Sequence, residues 1–388
     1  MGRLRFTTAG ESHGPGLVAI VEGLPAGLEV DRGRVDRDLA RRQLGHGRGG
    51  RMKIERDSVE VRSGLRHGRT LGSPLAVLVA NRDYPNWEER MNPWPVEAEV
   101  AASHLPRPGH ADLAGLQKYG FDDVRNVLER ASARETAARV AAGAIAKELL
   151  AALGVSIFSH VIRIASVAAP SPHRLDPEDF AAVDESPVRC LDPASSDAMV
   201  DEINRRRKQN ESLGGVFEVR AFGLVPGLGS HVGWDRKLDG RLAQAVASIQ
   251  AVKGVSLGEA WEVAAAPGSE SHDEIFWDES RGWYRETNRA GGLEGGMSNG
   301  EPLIVRAALK PISTLTKPLR SVDTVTRKPA KAMRERTDST VVPAAGVVGE
   351  AMVGLVLADA YLEKFGGDHI EDVQAALAAY RRRIDWRR

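Results

Sequence analysis

Gly23-Leu24-Pro25-Ala26-Gly27-Leu28 follows one apolar run, Leu17 to Glu22, and Gly223-Leu224-Val225-Pro226-Gly227-Leu228 follows another, Val216 to Phe222. Both runs read as β-strands, because apolar and β-branched residues dominate them and Gly and Pro punctuate their ends. Each turn then leads into a helical pattern, Val35 to Leu44 in the first case and Leu238 to Val252 in the second. The two helices share Asp-x-x-Leu-Ala, at Asp36, Leu39 and Ala40 and at Asp239, Leu242 and Ala243. The echo is either a duplicated strand-turn-helix unit or chance similarity. Duplication would set two equivalent loops about a pseudo-two-fold axis, where a cleft shared between halves can form.

Outward from this frame, further strands are expected at Arg3 to Thr8, Met52 to Val61, Val155 to Val167 and Leu303 to Leu309. An alanine-rich helix is expected from Ser132 to Leu153, stopped at Gly154. Another runs from Pro343 to Phe365, opened by Pro and closed by Gly366-Gly367, and a last one from His369 to Ile384. Asp83 to Pro95, rich in Pro and Trp, reads as a surface excursion, and Ala169 to Ser186 as a connector. The expected organisation is one domain over 1–388, with half-repeats at about 1–168 and 210–367.

Composition narrows the function. With 42% apolar and 27% charged residues in 388, the balance is that of a soluble globular protein whose core is ample for two subdomains or one intertwined domain. Lys plus Arg equals Asp plus Glu at 53 each, so no overall basic field exists to hold nucleic acid, and any anion site must be local. Cys190 is the sole cysteine and Met1-Gly2-Arg3-Leu4-Arg5-Phe6 lacks a signal-peptide core, which points to the cytoplasm. Val341 to Leu357 is interrupted by Gly and Glu, so no membrane span is expected.

Three motif matches fail on context. Gly10-Glu11-Ser12-His13-Gly14 fits the hydrolase nucleophile elbow, but a strand follows it where a helix is required. Gly45-His46-Gly47-Arg48-Gly49-Gly50 fits a dinucleotide fingerprint but leaves a helix and enters a strand, the reverse of the needed order. His272-Asp273-Glu274 has no second cluster to complete a metal site, so no metal is expected.

What remains points to a small polyanion. Arg41 to Arg51 places guanidinium groups on a glycine-rich loop that lets backbone approach a ligand, and arginine presents a planar fork to phosphate or carboxylate. A solvated basic loop or an RNA-binding segment is the alternative. Arg107-Pro108-Gly109-His110 sets a cation and a histidine on a rigid turn, and His13 and His110 are candidate proton donors. Arg130-Ala131-Ser132-Ala133-Arg134-Glu135 reads as a capping box, its helix N-terminus favouring an anion, or simply as a well-capped surface helix. Asn288 to Gly300 carries the glycines of a ligand-hugging loop and leads to Lys310-Pro311-Ile312-Ser313-Thr314. Arg336-Thr337-Asp338 pairs a cation with a carboxylate that is either a base or an ion-pair partner.

Together and in order, Gly10 to Gly14, Arg107 to His110, Arg130 to Glu135, Gly291 to Gly300 and Arg336 to Asp338 resemble the signatures of the chorismate synthases, over about residues 5–367. The resemblance implies an α+β fold, helices sandwiched between antiparallel β-sheets with an internal pseudo-two-fold repeat, assembled as a homotetramer. It implies anti-1,4-elimination of phosphate from 5-enolpyruvylshikimate 3-phosphate with reduced FMN and no net redox change. NADPH then enters only indirectly, through an external flavin reductase. Substrate contacts carry over to Arg42, Arg48, Arg51, Arg107 and Arg134, and flavin contacts to Arg130, Ala131, Ser132, Gln250, Ala251, Gly295, Lys310, Pro311, Ile312, Ser313, Thr314 and Arg336. By the same resemblance His13 protonates the departing phosphate, His110 stabilises flavin charge and Asp338 assists hydrogen removal.

Overall fold

The computed structural model describes residues 3–49, 55–170, 172, 174–333 and 338–385. Strand β1 (Arg5–Ala9) pairs antiparallel with β2 (Gly16–Glu22), which turns Leu17, Ala19 and Val21 inward at the alternation a half-buried strand requires. Helix α1 (Arg32–Gln43) follows, its first amides capped by the Asp31 carboxylate. Strands β3 (Glu60–Ser63) and β4 (Leu75–Ala80) complete a sheet ordered β1-β2-β4-β3. Helices α2 (Asp112–Tyr119), α3 (Arg125–Ala131) and α4 (Thr136–Ala152) come next.

The second half opens with β5 (Ser156–Ile164), then α5 (Pro193–Lys208), β6 (Gly215–Phe222), α6 (Leu238–Ala247), β7 (Val252–Leu257) and β8 (Leu303–Leu309). Its sheet runs β5-β6-β8-β7, with the short strand Val167–Ala168 outside β5. Both sheets therefore share one strand order, with α1 following β2 as α6 follows β6. Helices α7 (Val342–Phe365) and α8 (Ile370–Arg383) end the chain. Between the sheets, α4 lies on the first, α7 on the second, and the two helices pack on each other. This is the expected α+β sandwich.

The two echoed turns are closed by the same hydrogen bonds. Gly27 N donates to Thr70 O (2.9 Å), Leu28 N to Thr70 Oγ1 (3.0 Å), and Thr70 Oγ1 to Pro25 O (2.6 Å). In the second half Gly227 N donates to Ser298 O (2.7 Å), Leu228 N to Ser298 Oγ (2.8 Å), and Ser298 Oγ to Val225 O (2.7 Å). Gly23 and Gly223 both have positive φ, 87° and 81°. A Cβ at either would lie 2.0 or 2.1 Å from the carbonyl oxygen of Arg3 or Gly154, so only glycine lets the neighbouring chain pass.

The sandwich centre is not wholly apolar. Glu350 of α7, fully buried, accepts from Arg41 (2.8 Å), Lys147 (2.9 Å) and Ser159 (2.7 Å), which ties α1, α4 and β5 to α7 with the charge compensated. Among the described residues α7 is the one helix long and apolar enough to cross a membrane, and its apolar surface is used by the core.

Several boundaries differ from expectation. The expected helix from Leu238 to Val252 ends at Ala247, and Val252 already belongs to β7. Of the expected strand Met52 to Val61, only Glu60 onward is extended, and residues 50–54 lie outside the described residues. The connector holds two 3-10 turns, Pro177–Phe180 and Val183–Glu185, whose Phe180 and Val183 are buried with Phe222. It is packed against the sheet. Helices α2, α3 and α5 were not foreseen, since each is short or too polar to show a clear apolar period.

Candidate active site

A cavity of about 720 Å³ opens where the turn after β1, the end of α1, the start of α4, the 310–314 segment and the first turns of α7 meet. His13, His110 and Asp338 line it, as do Arg42, Arg48, Arg107 and Arg134. Residues more than 300 positions apart in the chain thus share one space.

His13 sits on the β1 to β2 turn. Its backbone N donates to Glu129 Oε2 at 2.8 Å, and its Nδ1 lies 3.0 Å from both Glu129 oxygens. The ring stacks on Trp87 at 3.9 Å between centroids. Trp87 is in turn held by Asp83, which accepts from its Nε1 at 3.2 Å. The Pro- and Trp-rich segment, read as a surface excursion that could carry a role, supplies Asp83, Trp87 and Arg90 to the cavity wall.

Arg107 and His110 share one carboxylate that sequence reasoning missed. Asp112 accepts from the backbone N and Nε of Arg107, both at 2.9 Å, and touches His110 Nδ1 in a short hydrogen bond. Burial alone would raise its pKa, but the bonds from His110 and Arg107 outweigh it and hold the carboxyl well below the usual range.

Arg42 and Arg134 meet at another missed carboxylate, Asp57. Arg134 NH1 donates to Asp57 Oδ2 at 2.7 Å, Nε to Asn81 (2.8 Å), and NH2 lies 3.7 Å from Glu55. Arg42 gives Nε to Thr136 (2.9 Å) and NH2 to Ala133 O (3.0 Å), and its NH1, 3.6 Å from Asp57, has no hydrogen-bond partner among the described residues. Burial, reinforced by the Arg134 and Arg48 charges and opposed by Asp57, pushes the Arg42 guanidinium down to about 9. It remains cationic at neutral pH, and a buried, under-compensated cation calls for an anion.

Arg48 forms an ion pair with Asp338 at 3.0 Å, and Gly49 N donates to the same carboxylate. Asp338 is thus held by an arginine expected on the substrate. Arg51 and Arg336 lie outside the described residues.

The other wall is more apolar, with Leu128, Ala131, Ile249, Ile312, Val341 and Ala345. Ser132, Gln250, Ala251, Lys310, Ser313 and Thr314 bring polar groups to it. Gln250 gives its Nε2 to Glu135 at 3.1 Å, while its buried Oε1 has no hydrogen-bond partner among the described residues. Lys310 Nζ donates to Gly109 O at 2.9 Å, and burial with Lys253 nearby lowers its pKa.

Three expected flavin contacts are not in the lining. Arg130 donates to Thr8 O and Gly10 O, bracing the β1 to β2 turn. Pro311 is solvent-exposed, and Gly295 is on the exposed turn between Leu293–Glu294 and Met297–Ser298. The glycine-rich run does not line this cavity. It is the hairpin that clasps the second echoed turn, and a Cβ on Gly292 or Gly296 would meet Pro302 O or the Lys237 side chain at 2.6 Å.

The capping box is also corrected. Ser132 Oγ caps a 3-10 turn, Ala133–Glu135, by accepting from Arg134 N. Glu135 does not reach back to it but binds Thr8, Arg139 and Gln250. Asp273, in the rejected metal motif, instead accepts from Thr287, Arg289 N and Ala290 N. Among the described residues no group of three or more His, Cys, Asp or Glu is placed to hold a metal ion.

The sequence profile of the chorismate synthase family matches residues 4–362. The chorismate synthase of Rubrobacter xylanophilus is 59% identical over 384 residues, spanning 98% of this chain and 97% of that protein. That of Symbiobacterium thermophilum is 57% identical over 98% and 99% of the two chains, and that of Thermus thermophilus 55% identical over 98% and 99%. A crystal structure of chorismate synthase matches with a TM-score of 0.79 at 41% identity, covering 98% of each chain.

Proposed function

Since the chain belongs to the chorismate synthase family, we propose that the cavity described above is where it performs that family's reaction. The enzyme is a carbon-oxygen lyase that converts 5-enolpyruvylshikimate 3-phosphate to chorismate and phosphate, a step of aromatic biosynthesis. Two bonds break. The C–O electron pair leaves with phosphate, the hydrogen is lost from the far end of the allylic system, and the C–H pair becomes part of the new diene.

The residues divide the work. The substrate carries one phosphate and two carboxylates, and Arg42, Arg48 and Arg107 are the cations offered to them. Arg134, engaged by Asp57 and Asn81, orients Arg42 through their shared carboxylate. His13 donates a proton to the departing phosphate, which lowers the cost of charge on the leaving group. Asp338 accepts the ring hydrogen as a proton, directly or by relay, with Arg48 and Gly49 fixing its carboxylate. Arg51 and Arg336 are assigned to substrate and cofactor by family resemblance.

The family needs reduced flavin, and the chain's residues fit FMN. The apolar wall suits a flat ring, and Gln250 Oε1 is a buried acceptor awaiting a donor. Ala131, Ser132, Ala251, Lys310, Ile312, Ser313 and Thr314 would hold it, with His110 stabilising negative charge. A reduced flavin held by these residues would lend electron density to C–O cleavage and regain it, with no net oxidation. The reading extends to a cytoplasmic homotetramer whose reduced flavin comes from an external reductase that uses NADPH.

The carrying observation is the convergence of four arginines, two histidines and Asp338 on one cavity, with Arg42 buried and incompletely paired. Anaerobic assays with reduced FMN should release phosphate and form chorismate stoichiometrically. Equal turnover with oxidised FMN and no reductant would refute the flavin role.

A further inference from the structure

We propose that Glu129 is the positioning residue for His13, fixing the ring as the Nδ1–H tautomer so that Nε2 is the nitrogen that serves the reaction. The inference rests on the assignment of His13 as proton donor, and deepens it.

The hold is made at three points. Ser12 N donates to Glu129 O at 3.1 Å, His13 N to Glu129 Oε2 at 2.8 Å, and Nδ1 faces both carboxylate oxygens at 3.0 Å. An ionised carboxylate can only accept, so a nitrogen bonded to it must carry the proton. Burial would raise the Glu129 pKa, but the bonds and charge at His13, with Arg125, pull it below its ordinary value. Glu129 is only 3% exposed and its carboxylate also accepts from Arg125 NH1 at 2.6 Å.

The ring plane is fixed from its face. Trp87 stacks on the imidazole with 27° between planes, and the Arg125 guanidinium lies 5.0 Å from the indole centroid. His13, Trp87, Arg125 and Glu129 thus form a closed set of contacts. With Nδ1–H committed to Glu129, the proton given to the departing phosphate is the one the imidazolium carries on Nε2, and the neutral Nδ1–H ring is what remains. This is the division of labour in which one ring nitrogen sets the tautomer and the other does chemistry.

Nitrogen NMR of histidine-labelled full-length protein tests this, with His13 assigned by comparison to His13→Ala. Wild type should show His13 protonated at Nδ1 in its neutral form; a neutral ring protonated at Nε2 would overturn the proposal without any variant at position 129. Glu129→Leu, which offers no acceptor, should shift the ring toward Nε2–H and lower kcat by roughly 100-fold, with KM and FMN affinity within about threefold, while Glu129→Gln, whose Oε1 still accepts, should keep Nδ1–H. A folded Glu129→Leu that keeps Nδ1–H would equally overturn it. A changed tautomer with wild-type kcat would uphold the hold of Glu129 on the ring and sink instead the assignment of His13 as proton donor.

Discussion

Asp112, with no solvent exposure, binds Arg107 through the backbone N and Nε of that residue, both at 2.9 Å, and through NH2 at 3.1 Å. The arginine is therefore aimed by a carboxylate five positions ahead of it in the chain, and His110, two positions before Asp112, is pinned by the same group. Removing the carboxylate's charge leaves a buried cation uncompensated.

Asp112→Asn should accordingly lower folding stability at neutral pH by about 3 kcal/mol. Because the folded carboxyl is held below its unfolded value, its contribution is complete above about pH 4 and fades as pH falls through the folded value. Urea unfolding from pH 7 down to 2 should therefore show a shallower acid loss in the variant than in wild type. Parallel curves would show that Asp112 is not depressed by its partners.

Arg48 and Arg134 both reach the cavity but should fail differently. Arg134 is committed to Asp57 and Asn81, so Arg134→Ala strands buried carboxylate and should cost about 3–5 kcal/mol of stability. Arg48 is paired with Asp338 near the cavity, and Arg48→Ala should raise KM roughly 10-fold or more while thermal stability changes little. Denaturation curves and steady-state kinetics of the two variants separate these outcomes, and the reverse pattern would exchange their roles.

His13→Ala and Asp338→Asn should each reduce kcat by roughly 100-fold or more while FMN still binds, as expected for proton-transfer groups. Phosphate release and a flavin-binding titration measure the two quantities independently. Wild-type turnover in either variant would remove its proton role.

The elements legible in the sequence are those with an unambiguous period or stop. Strand β2 alternates, α4 is alanine-rich and ends before Gly154, and α7 begins beside Pro343 and ends before Gly366. The echoed turns were legible because glycine is required at both. The groups missed are the acceptors that hold His13 and the arginines of the cavity. Glu129 meets His13 across 116 positions and Asp57 meets Arg134 across 77, separations that leave no local pattern. Asp112 stands two residues beyond His110, but the helix it opens is too short to show a period in the sequence, so nothing there singled it out. The glycine-rich run also serves the protein's own packing. Glycine permits close approach of any backbone, and here the approaching atoms belong to the protein.

The packing of α4 on α7 sets the distance between the sheets; Gly143 tests it, and Gly240, on an open helix face, is the control of opposite sign. At Gly143 an added Cβ would lie 2.3 Å from Ala351 Cβ and 2.5 Å from its Cα, so Gly143→Ala must push the helices apart. Overpacking at a rigid backbone contact should cost about 1–3 kcal/mol or more. Gly240, in α6, has nothing within 4 Å of an added Cβ and a helical backbone, so Gly240→Ala should stabilise by about 0.5–1 kcal/mol through helix propensity and unfolded-state entropy. Chemical denaturation of both variants decides the matter. A neutral Gly143→Ala would mean that the helix pair relaxes freely, and the distance between the sheets would then have to be set by the ion pairs of Glu350 with Arg41 and Lys147 instead.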